Sequence, residues 1–384
     1  MTGPLDGLRV VELGGIGPTP YCGMLLGDLG ADVIRIERAS SSSSAVRGNP
    51  HMRNRRSIAL NLRTSRGAEM ALRLLERSDA CTEGFRPGVA ERLGFGPDEA
   101  LGRNPRLVYG RMTGWGQDGP LAQAPGHDIN YVALTGALHA IGPVGGKPTP
   151  PLNLLGDFGG GGLFLAFAIL AGVLEARRSG RGQVVDMAMV DGVASLMSAF
   201  AFYRSVGMFD DERPGANLLG GAAHYYDVYE TKDGKYVSVG ALEPEFYAAF
   251  VQALELDRAV FGDAVFSPAR ASDPRWPMLK AIVAEKFRTR TQAEWCALLE
   301  GSDICFAPVL AFSDAPKHPH NVARNTYVDV GGSLQNAPTP RFVRTPAAPP
   351  EVARLAGQDS KDILEEIGVS GAEFDELVAE KVVT

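Results

Sequence analysis

The stretch "GLRVVELGGIGPTPYCGMLLGDLGADVIRIER", residues 7–38, decides the fold. Its two Val- and Ile-rich runs, 8–13 and 32–37, have the length and composition of strands, and the positions between them fit a helix over Tyr21–Leu29. The pattern then continues: 57–62, 80–85 and 106–112 read as further strands, with helices at Ser65–Arg77 and Val89–Leu93. Such alternation predicts an α/β fold with a Rossmann-like, doubly wound sheet.

The turn after the first strand, "GGIGPTPYCG" (14–23), imitates a dinucleotide fingerprint, and Glu37 closes the second strand where a ribose-binding acid would stand. Pro20 occupies the third glycine position, however, and the basic Arg35 and Arg38 flank the acid, which speaks against a nicotinamide cofactor. The plainer reading is a Pro-rich turn opening a helix, whose N-terminus could still accept an anion.

With 384 residues the chain exceeds one compact core, so two domains are expected. A large α/β domain is read from 1–205 and 332–384, and a linker with a smaller α+β domain from 206–331. Within that second part a Lys-Asp-Gly turn at 232–234 joins two alternating runs into a hairpin over 225–241, and helical patterns follow. Residues 332–350 are Pro-rich and read as an extended return segment, before two short helices in 359–381. Ser40–Ser44 reads as a loop.

Hydrophobic content of 45%, charged content of 22% and a net charge of -7 are those of a soluble globular protein, with no sign of a nucleic-acid or anionic-membrane partner. Cys22, Cys81, Cys296 and Cys305 are scattered, which suggests neither disulfides nor zinc and fits a reducing, cytoplasmic location; neither "MTGPLDGLRVVEL" nor "EKVVT" reads as a targeting signal. The apolar run from Gly161 reaches Glu175 after roughly 14 residues, short of the about 20 a membrane span needs, and reads as a buried helix.

Arginines crowd the first part of the chain: Arg35, Arg38, Arg47, Arg53, Arg55, Arg56, Arg63, Arg86 and Arg92. Several follow strand ends, where open α/β sheets bind ligands, and together they favour a phosphorylated ligand. In "PPLNLLGDFGGGG" (150–162) a lone carboxylate, Asp157, stands before four glycines that open the apolar helix. Such glycines let a backbone approach closely and present N–H groups, so Asp157 is either a simple N-cap or a reactive acid. In "GHDINY" (126–131) Asp128 could cap a helix beside an incidental imidazole, or His127 could form half of an acid/base pair with Asp157. His51, His139, His318 and His320 read as structural, His224 is ambiguous, and no spacing suggests a metal.

The stretches at 7–38, 83–94, 111–120, 126–142, 151–162, 182–192 and 239–250 closely resemble the family III coenzyme A transferases, the CaiB/BaiF family, and within it the racemase branch. This resemblance implies a large nucleotide-fold domain, a smaller inserted domain and two interlocked subunits. It implies that Arg38, Arg86 and Arg92 hold CoA, that His127 and Asp157 are the catalytic bases, that Asn153, Asp128, Gly159 and Gly160 lie at the site, and that Glu243 orients the histidine from a partner subunit. The implied reaction is epimerisation at carbon 2 of a 2-methylacyl-CoA thioester, with no separate cofactor. Amides of Gly159–Gly162 are then the available donors to an enolate oxygen. The alternative is CoA transfer with Asp157 as nucleophile. Three places depart from the racemase pattern: "LLGGAAHYY" (218–226), "SDICFAP" (302–308) and "GQDSKDILEEIGVS" (357–370).

Overall fold

The structure is a computed structural model that describes residues 3–38, 48–265 and 272–384; Arg47 and the Ser40–Ser44 loop lie outside the described residues. The chain divides into two compact units, the first formed by Met1–Val132, Leu152–Ser195 and Val322–Thr384 and the second by Ala133–Pro151 and Leu196–Asn321. This division departs from the expected boundaries. Residues 133–151 and 196–205 go with the second unit, where the His139 ring nitrogen meets the Asp211 carbonyl at 2.9 Å.

In the first unit β1 (Arg9–Leu13), β2 (Asp32–Glu37), β3 (Arg56–Ala59), β4 (Ala80–Glu83), β5 (Val108–Thr113) and β6 (Gln183–Ala188) form one parallel sheet in the order β3-β2-β1-β4-β5-β6. Successive side chains go to opposite faces, as the two-residue repeat of a strand requires. Val11 and Ile34 join one core with Leu74, Ile363 and Leu377, whereas Val10 and Val33 join another with Leu26, Leu165 and Ile169. Both faces are therefore covered, and the charged residues that the strands carry inside, such as Glu12 with Arg35 and Glu83 with Arg111, are paired with one another. The chain leaves β1 in one direction and returns to β4 on its other side, so the crevice at the strand ends opens between these two.

The helices that follow these strands include α1 (Pro18–Asp28), α2 (Ser65–Leu75), α3 (Val89–Arg92), α4 (Pro97–Arg103) and α5 (Asp128–Leu134), of which α1, α3 and α5 lend residues to the crevice. α1 starts three residues before the expected Tyr21, because Pro18 fits the first helical turn. Pro18 and Pro20 also remove two amide donors from that turn, which weakens it as an anion site.

The apolar run is longer than its composition suggested. Leu154–Leu163 is π-helical and continues into the α-helix Phe164–Ser179. Together they make 26 residues whose most apolar 18-residue window has a mean hydropathy of 1.8, long and apolar enough to cross a membrane by length and composition. Leu165, Ala166, Ile169, Val173 and Ala176 are nevertheless buried in the core against the sheet, while Leu163, Phe167 and Leu174 are exposed.

Part of the expected extended return segment is a strand. Ser333–Asn336 pairs antiparallel with Tyr327–Val330, and buried Arg53 binds this hairpin through Gln335 (3.0 Å) and the Asn336 carbonyl (2.8 Å) while pairing with Asp28. The second unit has the antiparallel sheet β7 (Tyr226–Glu230), β8 (Tyr236–Gly240), β9 (Phe306–Val309), packed through Tyr229, Phe250, Phe287 and Trp295 against helices Pro244–Ala253, Trp276–Phe287 and Gln292–Leu299. His224 belongs to this core: it is fully buried, and its Nε2 meets the Tyr247 hydroxyl at 2.8 Å.

Candidate active site

A cleft of about 1760 Å³ runs along the carboxyl ends of β1 to β5 in the first unit. That exceeds the roughly 300–1,000 Å³ of ordinary small-molecule sites and suits a long ligand. One part of its wall is cationic, with Arg35, Arg38, Arg63, Arg86, Arg92 and Lys381; His127, Asp157, Tyr131, Trp115 and Met189 also line it.

The arginines divide into two sets. Arg38, Arg86 and Arg92 are exposed and line the cleft, as expected of ligand-binding cations. Arg53, Arg55 and Arg56 are instead absorbed by the fold, paired with Asp28, Glu12 and Asp32 respectively. Arg35 is intermediate in role: Glu12 pairs with it below, and its Nη2 reaches the Gly15 carbonyl at 3.3 Å, which fixes the loop 14–17. Glu37 accepts the Ser57 hydroxyl at 2.6 Å and pairs with Arg35. It is thus engaged within the sheet edge rather than presented as a ribose ligand.

Asp157 is not an N-cap. It is the fourth residue of the π-helical segment, which has Asn153 at its cap position without a side-chain cap bond. The Asn153 amide instead donates to Asp157 Oδ2 at 3.0 Å. Gly17, at φ 66°, also stands against the carboxylate, and a β-carbon there would lie 2.9 Å from Oδ2. Only glycine lets that loop approach so closely.

Asp128 does not cap its helix either. At this helix start Asn130 accepts the His127 N–H at 3.0 Å and donates its own N–H to the His127 carbonyl at 2.8 Å. The Asp128 carboxylate points away and accepts the Asp157 N–H at 2.7 Å. Burial raises its pKa, an effect opposed by the hydrogen bonds from Asp157 and Gly156. His127 is exposed, and its ring makes no hydrogen bond among the described residues.

The glycines have a different duty from the one read for them. In a π-helix each interior N–H is taken by the carbonyl five residues back, so the amides of Gly159–Gly162 serve the helix. A β-carbon on Gly160 would lie 2.7 Å from the Val193 nitrogen, and one on Gly161 3.0 Å from Pro18 Cβ. These glycines let the segment pass between α1 and the helix Met189–Leu196. Glu243 lies in the second unit, at the N-cap of the helix Pro244–Ala253, without a cap hydrogen bond. Tyr131, Trp115, Gly17 and Asn130 were not singled out from the sequence, although Asn130 and Tyr131 stand inside the quoted GHDINY motif.

Among the described residues no group of three His, Cys, Asp or Glu side chains could hold a metal. The model of the CoA-transferase family III matches residues 5–360. The chain belongs to this family. It is 42% identical over 385 residues to the α-methylacyl-CoA racemase of Mus musculus and 40% identical over 381 residues to that of Homo sapiens, each match covering 99% of this chain and 97% of the relative. Among solved structures, a CaiB/BaiF family protein from Brucella suis superposes with a TM-score of 0.81 at 24% identity, covering 96% of this chain and all of that one, and so shares the fold.

Proposed function

We propose that this family III protein is an α-methylacyl-CoA racemase that interconverts the 2R and 2S forms of 2-methylacyl-CoA thioesters. The observation that carries the reading is that His127 and Asp157 line the same cleft as Arg38, Arg86 and Arg92. Phosphates of CoA meet the guanidinium groups, and the acyl end meets the imidazole and the carboxylate. One group takes the α-proton while the other returns a proton from the opposite face, so the two begin the turnover in opposite protonation states. Asn153 holds the Asp157 carboxylate on one side, which leaves its other oxygen for the proton. CoA enters as part of the substrate, with no separate cofactor. Identity of 40% and 42% to two racemases over nearly the full length supports this reading over CoA transfer, in which Asp157 would attack the thioester and form an anhydride.

The same reading takes the protein as a homodimer with interlocked subunits, in which Glu243 of the partner subunit orients His127. Support comes from the His127 ring, which makes no hydrogen bond among the described residues, and from the exposed Leu163, Phe167 and Leu174, 52%, 68% and 69% accessible on one chain. Incubation of a 2R thioester in deuterated water, without any acceptor acid, is expected to give deuterium at carbon 2 and loss of configuration. Retained configuration with trapping of Asp157 by hydroxylamine would establish the transferase instead.

A further inference from the structure

Tyr131 closes the GHDINY motif, and the acid/base pair leaves it without a task. It follows His127 by one helical turn, with its N–H directed to the His127 carbonyl at 3.4 Å, so the two side chains share a face of α5. The ring has a single place to go. Trp115 meets it edge to face, with ring centroids 4.7 Å apart at 84°. A β-carbon on Gly114 would collide with the ring, and one on Gly126 would lie 2.7 Å from Cε1 and 3.1 Å from the hydroxyl. Two glycines and an indole are thus cut to the outline of one phenol.

The hydroxyl at the end of this fixed ring makes no hydrogen bond among the described residues, yet Tyr131 is buried to 7% accessibility and lines the cleft. A buried tyrosine normally gives its hydroxyl a partner. Both the Asp157 carboxylate and the Arg86 guanidinium, which line the same cleft, act on it electrostatically. Burial, reinforced by Asp157, raises its pKa, so at neutral pH it keeps its proton and can donate.

We propose that the Tyr131 hydroxyl is a substrate-facing hydrogen-bond donor to the carbonyl oxygen of the acyl thioester. The proposal rests on the acyl-CoA reading above, and it fills the place that the amides of Gly159–Gly162 leave open. When a base removes the α-proton, the C–H electron pair becomes the Cα–C double bond and the carbonyl π pair moves onto oxygen. Tyr131 holds that oxygen without losing its own proton, and reprotonation at carbon reverses the shift.

Tyr131→Phe keeps the ring and removes the donor. The test compares binding of a 2-methylacyl-CoA thioester with that of its thioether analogue, which lacks the carbonyl, and with free CoA. Wild type is expected to prefer the thioester by about 3- to 10-fold, the effect of one hydrogen bond, and Tyr131→Phe to lose the preference with free CoA binding unchanged. In the exchange assay kcat is expected to fall about 100-fold in the variant with KM little changed. A preference that persists in Tyr131→Phe, or is missing from wild type, overturns the proposal. Failure of the racemase reading would appear separately, as absent α-proton exchange in wild type, and leaves the binding comparison intact.

Discussion

Asp128 accepts the backbone N–H of Asp157 at 2.7 Å, so the residue after one proposed base holds the backbone of the other. Asp128→Ala should leave two buried amides, those of Asp157 and Gly156, without their acceptor. The expected cost is roughly 1–3 kcal/mol of stability together with a large loss of α-proton exchange. Asp128→Asn retains a carbonyl acceptor and should recover most of the stability. Thermal unfolding of the two variants beside wild type checks the difference; equal melting temperatures for Asp128→Ala and wild type would contradict it.

Replacing either base separates chemistry from binding. His127→Ala and Asp157→Ala should each reduce α-proton exchange by several orders of magnitude while CoA affinity stays within a few-fold of wild type. Calorimetric titration with CoA and deuterium incorporation, measured on the same preparations, decide this. Full exchange in Asp157→Ala would refute the proposed mechanism.

The cationic wall should act on the phosphates alone. Arg86→Gln and Arg92→Gln are expected to raise KM for a CoA thioester about tenfold each, and more in dilute salt, because exposed charges are screened beyond a Debye length of about 8 Å at physiological ionic strength. A pantetheine thioester of the same acyl group carries no nucleotide phosphates and should show no such change.

Gly160 should prove structural rather than catalytic. Its β-carbon position lies 2.7 Å from the Val193 nitrogen, backbone that has little room to give. Gly160→Ala is expected to destabilise the first unit by about 1–3 kcal/mol through overpacking. Urea unfolding reads the loss, and exchange at low temperature by the fraction still folded should be near normal per molecule.

His224 gives the second unit a sensitivity to acid. Burial lowers its pKa from 6.5 to about 3, so the folded protein holds it neutral where the unfolded chain takes up a proton. Its contribution is complete above pH 6.5 and is lost as pH falls from there toward 3, at up to about 1.4 kcal/mol per pH unit. His224→Phe fills the same aromatic surroundings, formed by Tyr225, Tyr247 and Phe261, without titrating. Urea unfolding at pH 8 and pH 5 should therefore show a smaller acid loss in the variant than in wild type.

The central strands of the first unit were legible because they are buried on both faces and carry runs of β-branched and other apolar residues. Residues 32–37 match the observed β2, and 8–13 overshoots β1 by one residue. The capping reading of Asp128 fails, and of the two readings of Asp157 the N-cap fails. The Asp128 carboxylate instead accepts the backbone N–H of Asp157, 29 residues away, and local spacing carries no trace of such a bond. The strand Ser333–Asn336 was hidden for a similar reason, since Arg53, some 280 residues earlier, anchors it.

The sequence by itself determined the class of fold, through the two-residue and helical repeats of apolar side chains, and the types of chemical group available at the site. It also carried the family, since GHDINY and the Asp157 stretch are read without any structure. Tertiary structure alone decided which groups share a cleft and which are consumed by the fold. It sent Arg38, Arg86 and Arg92 to the cleft and Arg53, Arg55 and Arg56 to buried or half-buried acids. It turned Gly160, Gly161 and Gly162 from presumed donors into packing surfaces, and left the Tyr131 side chain lining the cleft with no hydrogen bond to its hydroxyl among the described residues. The reason is that hydrogen bonds and ion pairs between distant segments depend on distances of about 3 Å, which a one-dimensional pattern does not encode.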